Sequence, residues 1–333
     1  MSWSKLFKPK PKSDPRVRWF GKLPTYPDYY SSPADEDWAI EFNDWILKGF
    51  EVYQSRRVGT PTHGRRLPVA GCAVRLPKSQ MTVFASILDY GGDMRGRPFP
   101  MCFYAAVPTA QWPGPTSDRL HGACRVLSDL FALRREVGRF LNSPGRLESA
   151  FGDRQIDLAG VDTDSRDASW VGGGQRLSLD AWFAEAREGI KTQQVDAWVR
   201  AAGQWGQQLA SCDSKELEPT IRFPLAMRLP LHLQVAGWVR WLENRLDMRR
   251  RQLSLAVCGE PDNGTGQLTL IAREVLAEDF LLLTPLANTL PYLDDLCGLE
   301  PGAGGDAEGD EAAAPFASPS CWLDFVNGQP KAA

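Results

Sequence analysis

Residues 67–108 read LPVAGCAVRLPKSQMTVFASILDYGGDMRGRPFPMCFYAAVP, and this stretch decides the fold class. It holds apolar and β-branched runs at 68–76, 81–90 and 101–107, separated by segments rich in turn-forming residues. Short turn-rich connections are typical of neighbouring antiparallel strands, because parallel strands need a long crossover that is usually a helix. The stretch therefore predicts an antiparallel sheet.

Segments on both sides of this stretch extend the sheet and cover it. Residues 17–23 alternate and end at the turn of Pro24, which predicts a further strand. Residues 33–56 have acidic side chains in the first turn, apolar side chains at helical spacing and a basic end, as amphipathic helices do. Similar spacing over 116–142 predicts a second helix. We therefore expect an α/β fold with a mixed, largely antiparallel sheet flanked by helices.

The second half of the chain predicts another α/β module packed on the first. Helical spacing recurs over 178–209 and again after Pro230. Residues 252–258 and 267–273 alternate around an Asp-Asn-Gly hairpin signature at 262–264. The expected organisation is a basic lead at 1–16, an N-terminal module at 17–150, a bridge at 151–176 and a C-terminal module at 177–333.

Two charged segments lie outside these modules. Residues 1–16 alternate lysine with proline, which cannot build a helix or a sheet ladder, so we expect a flexible basic lead. The alternative is that Trp3, Leu6 and Phe7 touch a membrane or a partner. Residues 299–320 are rich in glycine, alanine and acids, and we expect a mobile acidic loop because they offer little apolar surface to bury.

Composition narrows the function classes. Lys and Arg number 38 against 41 Asp and Glu, a formal charge of -3, which lacks the positive field that nucleic-acid binding usually needs. The seven cysteines are dispersed and form no CxxC pair, so we expect reduced, mostly buried thiols. No apolar run has the length of a signal peptide or a membrane span. We expect a cytoplasmic protein with no nucleic-acid partner and no membrane span.

Catalytic signatures are missing from the sequence. It contains no phosphate-binding loop, zinc-protease motif, nucleophile elbow or dinucleotide fingerprint. The triplet at 172–174 is three glycines without the lysine and hydroxyl that phosphate and magnesium need, so we interpret it as a linker. His121 and Cys124 share a helical face, but a nucleophile pair needs a third orienting group, and we interpret them as packing residues. We predict no catalytic residue, no cofactor and no metal site.

Two clusters in the first third combine aromatic, glycine and charged residues. Residues 19–30 read WFGKLPTYPDYY, in which a strand passes through glycine into a proline-bounded aromatic loop. Residues 89–100 read DYGGDMRGRPFP, in which the glycines permit positive φ, Asp93 can accept turn hydrogen bonds and Arg97 can reach a carboxylate or carbonyl. We interpret both as one network that joins two strands, with a ligand site as the alternative.

These clusters carry a resemblance to a known family. The pattern F-G-K-L-P-x-x-x-D-Y at 20–29, D-W-I-L-K-G at 44–49 and D-x-x-G-R-x-F-P at 93–100 resemble the TagF (ImpM) family of type VI secretion system accessory proteins. The likeness extends over about residues 17–107. The residues that match the family motifs are Gly21, Lys22, Pro24, Asp28, Trp45, Asp93, Gly96, Arg97, Phe99 and Pro100.

The resemblance implies a function that composition and spacing do not. It implies a cytoplasmic, non-enzymatic regulator that acts after translation to repress assembly or firing of the secretion apparatus. It also implies binding to the forkhead-associated domain scaffold protein of that system, a link to its kinase and phosphatase pathway, and a longin-like sheet core.

For the partner-binding surface, the first candidates are Tyr26, Tyr29 and Tyr30. Tyrosines bounded by proline offer rigid, amphipathic contact area at low entropic cost. The alternative is that these rings pack on the protein's own sheet.

An enzyme is the alternative function class. A hydrolase or transferase would use a site around Lys22, Asp28, Asp93 and Arg97. Convergence of these charges in a deep pocket would favour catalysis, whereas a shallow aromatic surface would favour binding.

Overall fold

The computed structural model describes residues 14–33, 35–58, 67–112, 120–140, 144–158, 202–203, 207, 211, 220–226, 231–243, 253–260, 265–284 and 286–295. Residues 1–13 of the basic lead, the bridge beyond residue 158, the glycine triplet at 172–174 and the acidic loop at 299–320 lie outside the described residues. The helix predicted at 178–209 also lies almost wholly outside them.

In the part of the chain that the structure describes, nine strands form one sheet in the order β2-β1-β5-β4-β3-β7-β8-β6-β9. Every described pairing is antiparallel except that of β6 with β9, which confirms the mixed, largely antiparallel sheet. The bounds are β1 Asp14–Lys22, β2 Tyr29–Ser31, β3 Ala70–Leu76, β4 Met81–Leu88, β5 Met101–Pro108, β6 Thr220–Ala226, β7 Ser254–Glu260, β8 Thr265–Ile271 and β9 Leu293–Asp295.

Helices cover both faces of this sheet, as expected from its sequence. They are α1 Asp37–Arg57, α2 Leu120–Val137, α3 Pro144–Phe151 and α4 Leu231–Glu243, with 3-10 helices at Ala277–Leu283 and Ala287–Thr289. Side chains of α1 and of the longer 3-10 helix share one core cluster, and those of α2, α3 and α4 share the other.

Strand alternation distributes the central side chains between the two cores. Phe84 lies in the core under α2, whereas its neighbour Val83 lies in the core under α1. All eight residues of β4 are buried. A strand covered on both faces reads as a continuous apolar run rather than as an alternating one, which explains the uninterrupted runs in the sequence.

The two halves of the chain share this sheet. β3 pairs with β7 in the register Cys72↔Ala256, so strands from both halves continue one hydrogen-bonded ladder. The indole N–H of Trp45 in α1 donates to the carbonyl of Leu276 (2.8 Å). The lead predicted at 1–16 is wrong at its end, because β1 begins at Asp14. The predicted division into modules and the longin-like arrangement stay predictions.

Four elements were not expected from the sequence, among them β9, which lies in a stretch whose pattern is partly helical. Residues 29–31 were expected in a loop but form β2 at the sheet edge. β6 contains Pro224, which argues against a central strand, but β9 pairs only with residues 220–222, so β6 has an unpaired edge beyond them among the described residues. The helix α3 lies beyond the helix predicted over 116–142 and begins at Pro144, a first position that proline favours.

The described cysteines agree with the sequence-based expectation. They are free and buried, and burial raises the pKa of the Cys72 and Cys124 thiols to about 12. The free, buried residues are Cys72, Cys102, Cys124 and Cys258.

None of the helices in the described ranges combines the length and apolar character needed to cross a bilayer.

Candidate functional site

The two sequence clusters meet where β1 passes the start of β5. Gly21 pairs with Met101, and a Cβ on Gly21 would lie only 2.2 Å from the carbonyl oxygen of Pro100. The φ of Gly21 is +150°, so glycine is required here both by backbone conformation and by close approach. The predicted network joining two strands is confirmed at this junction.

Two backbone acceptors tie the aromatic loop to the turn at 93–97. The backbone N–H of Met94 donates to the carbonyl of Tyr26 (3.0 Å). The guanidinium of Arg97 donates to the carbonyl of Pro27 (2.7 Å). The loop and the turn therefore form one unit, which we call the motif junction: residues 21–30 and 92–100.

Asp93 is the centre of the motif junction. Its Oδ1 accepts the backbone N–H groups of Arg95 (2.9 Å) and Arg97 (3.0 Å). Its Oδ2 accepts the Nε–H of Arg97 (2.7 Å) and lies 3.3 Å from Nζ of Lys22. Burial by itself would raise the pKa of Asp93, but the hydrogen bonds from Arg97, Lys22 and Arg95 outweigh it and lower the pKa to about 2.

Glycines allow the chain to wrap around this carboxylate. Gly96 has φ +74° and Gly92 has φ +102°, both in the left-handed region that favours glycine. A Cβ on Gly92 would lie 2.4 Å from the carbonyl oxygen of Arg97, whereas one on Gly96 would meet nothing within 4 Å. The positive φ expected at Gly96 and the bonding expected of Asp93 and Arg97 are confirmed.

The rings of the aromatic loop divide between core and surface. Tyr29 stacks on Phe20 at 5.4 Å between centroids and meets the edge of Phe99 at 4.9 Å, with Nζ of Lys22 4.8 Å from its own centroid. One side of Tyr29 stays in solvent, and the residue is 39% exposed. Tyr26 is 37% exposed.

Tyr30 requires a correction. We expected it on the binding surface, but it is 9% exposed and belongs to the core, with its ring 6.1 Å from that of Trp19. Burial raises its pKa to about 12. Successive residues of a strand point to opposite faces, so Tyr29 and Tyr30 of β2 cannot both be exposed when one face is covered.

Sequence reasoning missed an exposed residue of the motif junction. Met94, at the tip of the Asp93 turn, is 61% exposed, and Arg95 beside it is exposed as well. The signal was present in the D-x-x-G-R pattern, because the two residues between the Asp and the Gly of such a turn point away from the chain. Tyr26, Met94 and Arg95 form what we call the junction surface. Tyr29 lies apart from it, because the ring of Tyr26 is 5.3 Å from that of Tyr30, on the face of β2 opposite to Tyr29.

The remaining motif residues support this junction or lie elsewhere. Phe99 and Pro100 are buried, while Pro24 is exposed. Trp45 lies on α1 and packs against Phe280 at 6.2 Å between ring centroids. Asp28 is exposed and lies 3.6 Å from the guanidinium of Arg97, so it adds a screened surface pair rather than a buried one.

The charged side chains proposed for an enzyme do converge, but both carboxylate oxygens of Asp93 already accept hydrogen bonds. Lys22, Arg97 and Asp93 meet within hydrogen-bonding or ion-pair distance, and the side chain of Asp93 has no exposed surface. A carboxylate that already accepts these donors cannot take a substrate proton without opening the turn. Within the part of the chain that the structure describes, no group of three or more His, Cys, Asp or Glu side chains is placed to hold a metal ion.

Comparison with known proteins finds limited similarity to solved structures. No family model matches the chain, and no curated protein matches it. PA0076 from Pseudomonas aeruginosa PAO1 is 21% identical, with a TM-score of 0.24, over 28% of this chain and 42% of that chain. This chain thus covers less than half the length of that protein, and a likeness of this extent assigns neither fold nor function.

Proposed function

We propose that this chain is a cytoplasmic accessory regulator of a type VI secretion system that binds the forkhead-associated domain scaffold protein and represses assembly or firing after translation. The kinase and phosphatase pathway of that system would then set when it acts. The motif resemblance over residues 17–107 supplies the system and the partner. The geometry of the motif junction supports binding as the mode of action.

The observation that carries the proposal is the junction surface. It combines a tyrosine, a methionine and an arginine, which are among the residue types enriched where proteins contact each other. The bond from Met94 N–H to the Tyr26 carbonyl and the saturated Asp93 carboxylate hold the surface in shape before any partner arrives. Preorganisation lowers the conformational entropy lost on binding.

A hydrolase or transferase remains the second candidate because Lys22, Asp93 and Arg97 converge. It is the weaker one, since Asp93 is enclosed and its acceptors are occupied. The hydrogen bonds that Asp93 accepts are those expected of a carboxylate that closes a turn.

Calorimetric titration of the purified scaffold protein tests the proposal. The double variant Tyr26→Ser and Met94→Ser should weaken binding at least about tenfold, equivalent to about 1.4 kcal/mol. The matched control is Leu276→Ser, which also removes an exposed apolar side chain, 49% exposed, outside the motif junction. Thermal melts of both variants should match the wild type, because these side chains are partly or largely in solvent.

Two outcomes would count against the proposal. Wild-type chain that does not bind the scaffold protein refutes the partner, and unchanged binding by the double variant moves the interface away from the junction surface. Tyr30→Ser serves as the contrasting core variant and should lower the melting temperature, since Tyr30 is buried.

A further inference from the structure

A preformed groove lies along α1, separate from the motif junction. It has a volume of about 530 Å³ and runs between α1, the turn that joins β3 to β4, and residues 275–277. This volume is in the usual range for ligand sites, about 300–1,000 Å³. Its lining includes the apolar side chains of Ile40, Trp45, Leu76 and Val275.

Hydrogen bonds hold both walls of the groove. The carboxylate of Glu41 accepts the backbone N–H groups of Lys78 (3.0 Å) and Ser79 (2.9 Å), which fixes the β3–β4 turn against α1. The indole N–H of Trp45 fixes Leu276 on the other side (2.8 Å). Both walls of the groove are therefore fixed by hydrogen bonds, so the groove is part of the folded structure.

The groove also keeps large apolar side chains in water. Ile40 on its rim is 52% exposed, and Leu276 beside it is 49% exposed. Apolar area left exposed beside a preformed concave surface is what a bound segment would cover.

Charge differs between the two ends of the groove. Asp37 and Asp44 are exposed on α1, near the helix start, and the carboxylate of Asp37 has no hydrogen bond or ion pair among the described residues. Lys48, one turn beyond Asp44, lies 3.9 Å from it, too far for a strong pair at an exposed site. Three acids, Asp37, Glu41 and Asp44, line this part of the groove against one lysine, Lys78, so the end nearer the start of α1 has a net negative charge.

The chain enters β1 beside this acidic end. The guanidinium of Arg16 in β1 donates to Glu36, the residue before α1 (3.0 Å). Asp14 pairs with Ala106, which pairs with Val83 of β4, near the β3–β4 turn that lines the groove. Asp14 is therefore three strand spacings from β3, about 14 Å, at the same end of the sheet as that turn.

From this placement we propose that residues 1–13 of the chain dock into the groove. The lysines at 8, 10 and 12, which are nearest in sequence to β1, lie against Asp37 and Asp44. The apolar side chains of Trp3, Leu6 and Phe7 cover the apolar floor. The lysines of the segment complement the acids of the groove, and its apolar side chains complement the apolar lining. The segment also reaches the groove from the end where the acids lie.

The length of the segment agrees with this occupant. Thirteen residues span up to about 43 Å when extended, whereas the α1 side of the groove, from Asp37 to Lys48, is about 17 Å long. Pro9 and Pro11 favour the extended backbone that such docking needs. A tethered segment has an effective concentration of the order of mM, so a partner for the groove must first displace it.

The test uses the full chain and zero-length carbodiimide cross-linking, which joins a lysine amine to a carboxylate in direct contact. Mass spectrometry of the monomer band should find links from Lys8, Lys10 or Lys12 to Asp37 or Asp44. The double variant Asp37→Lys and Asp44→Lys should also raise the rate of tryptic cleavage after Lys12 about fivefold or more, because reversal of both charges expels the segment. Higher salt should raise the wild-type rate in the same direction.

The matched control reverses two acids on α2 and α3, the helices that cover the other face of the sheet. Asp129→Lys and Glu148→Lys change the net charge equally and should leave cleavage at the wild-type rate. Links from the lead to other acids, or equal cleavage rates in all forms, would overturn the proposal. Links confined to the dimer band would place the segment on a second copy and overturn it as well. No scaffold protein is present, so the result is independent of the function proposed above.

Discussion

Alanine substitutions at Gly92, Gly96 and Gly145, made one at a time, distinguish the cost of backbone strain from the cost of a steric clash in the turn around Asp93. Gly145 lies outside that turn and serves as the reference. Gly96 has φ +74° and open space where a Cβ would lie. Gly92 has φ +102°, and its Cβ would lie 2.4 Å from the carbonyl oxygen of Arg97. Gly145 lies in α3, again with open space at the Cβ position.

The expected losses follow from these differences. Alanine at Gly96 should cost about 1 kcal/mol of unfolding free energy, since the left-handed conformation costs an L-residue about 1–2 kcal/mol and part is offset by reduced freedom of the unfolded chain. Alanine at Gly92 should cost about 3 kcal/mol, because it adds displacement of the Arg97 carbonyl and weakens the hydrogen bond from Asp93 N–H. Alanine at Gly145 should cause no loss and up to about 1 kcal/mol of gain.

Urea unfolding at 25 °C, followed by tryptophan fluorescence, measures these differences if the slope is unchanged among the variants. The predicted order of stability is Gly145→Ala, wild type, Gly96→Ala, Gly92→Ala. A Gly96→Ala chain with the wild-type midpoint, or a Gly92→Ala chain more stable than Gly96→Ala, would refute the structural role given to this turn.

Three further predictions concern titration, a buried ion pair and the thiols. The pKa of Asp93 is lowered from 3.8 to about 2 in the folded chain, so its contribution to stability is present above pH 4 and is lost as the pH falls towards 2. The unfolding free energy of Asp93→Asn should therefore fall less steeply over that range than the unfolding free energy of the wild type. Arg273→Met should cost about 3 kcal/mol in urea unfolding, because it leaves the fully buried carboxylate of Asp279 without its 2.7 Å partner; a loss below about 1 kcal/mol would contradict this. Ellman's reagent should react rapidly with all seven thiols in urea but with no more than three in the native chain. Rapid native labelling of more than three thiols would contradict the burial of Cys72, Cys102, Cys124 and Cys258.

Much of the candidate site follows from local sequence. The D-x-x-G-R pattern predicts the turn, the positive φ of Gly96 and the acceptor role of Asp93, because all three depend on residues within five positions of one another. The identity of the exposed rings does not follow from it. Tyr29 and Tyr30 have the same chemistry, and only the strand β2 and the core beside Trp19 decide which of them is buried.

The sequence by itself determined the local elements: β1, β3, β4, β5, α1, most of α2, and the α4 and β7–β8 patterns. Each depends on hydrophobic periodicity and end signals within one segment, and such signals act over a few residues. It also determined the glycine-bounded turn that holds Asp93.

Only the tertiary structure decided how these elements meet. The β3–β7 register that joins the two halves, the acceptance of Pro224 in β6, and the groove along α1 all depend on segments far apart in the chain. Lys22 and Asp93 are separated by about seventy positions, yet their charged atoms lie 3.3 Å apart. Burial of apolar surface favours compactness but has no direction, so the partner of each strand is set by the combined packing of the whole sheet and both of its cores.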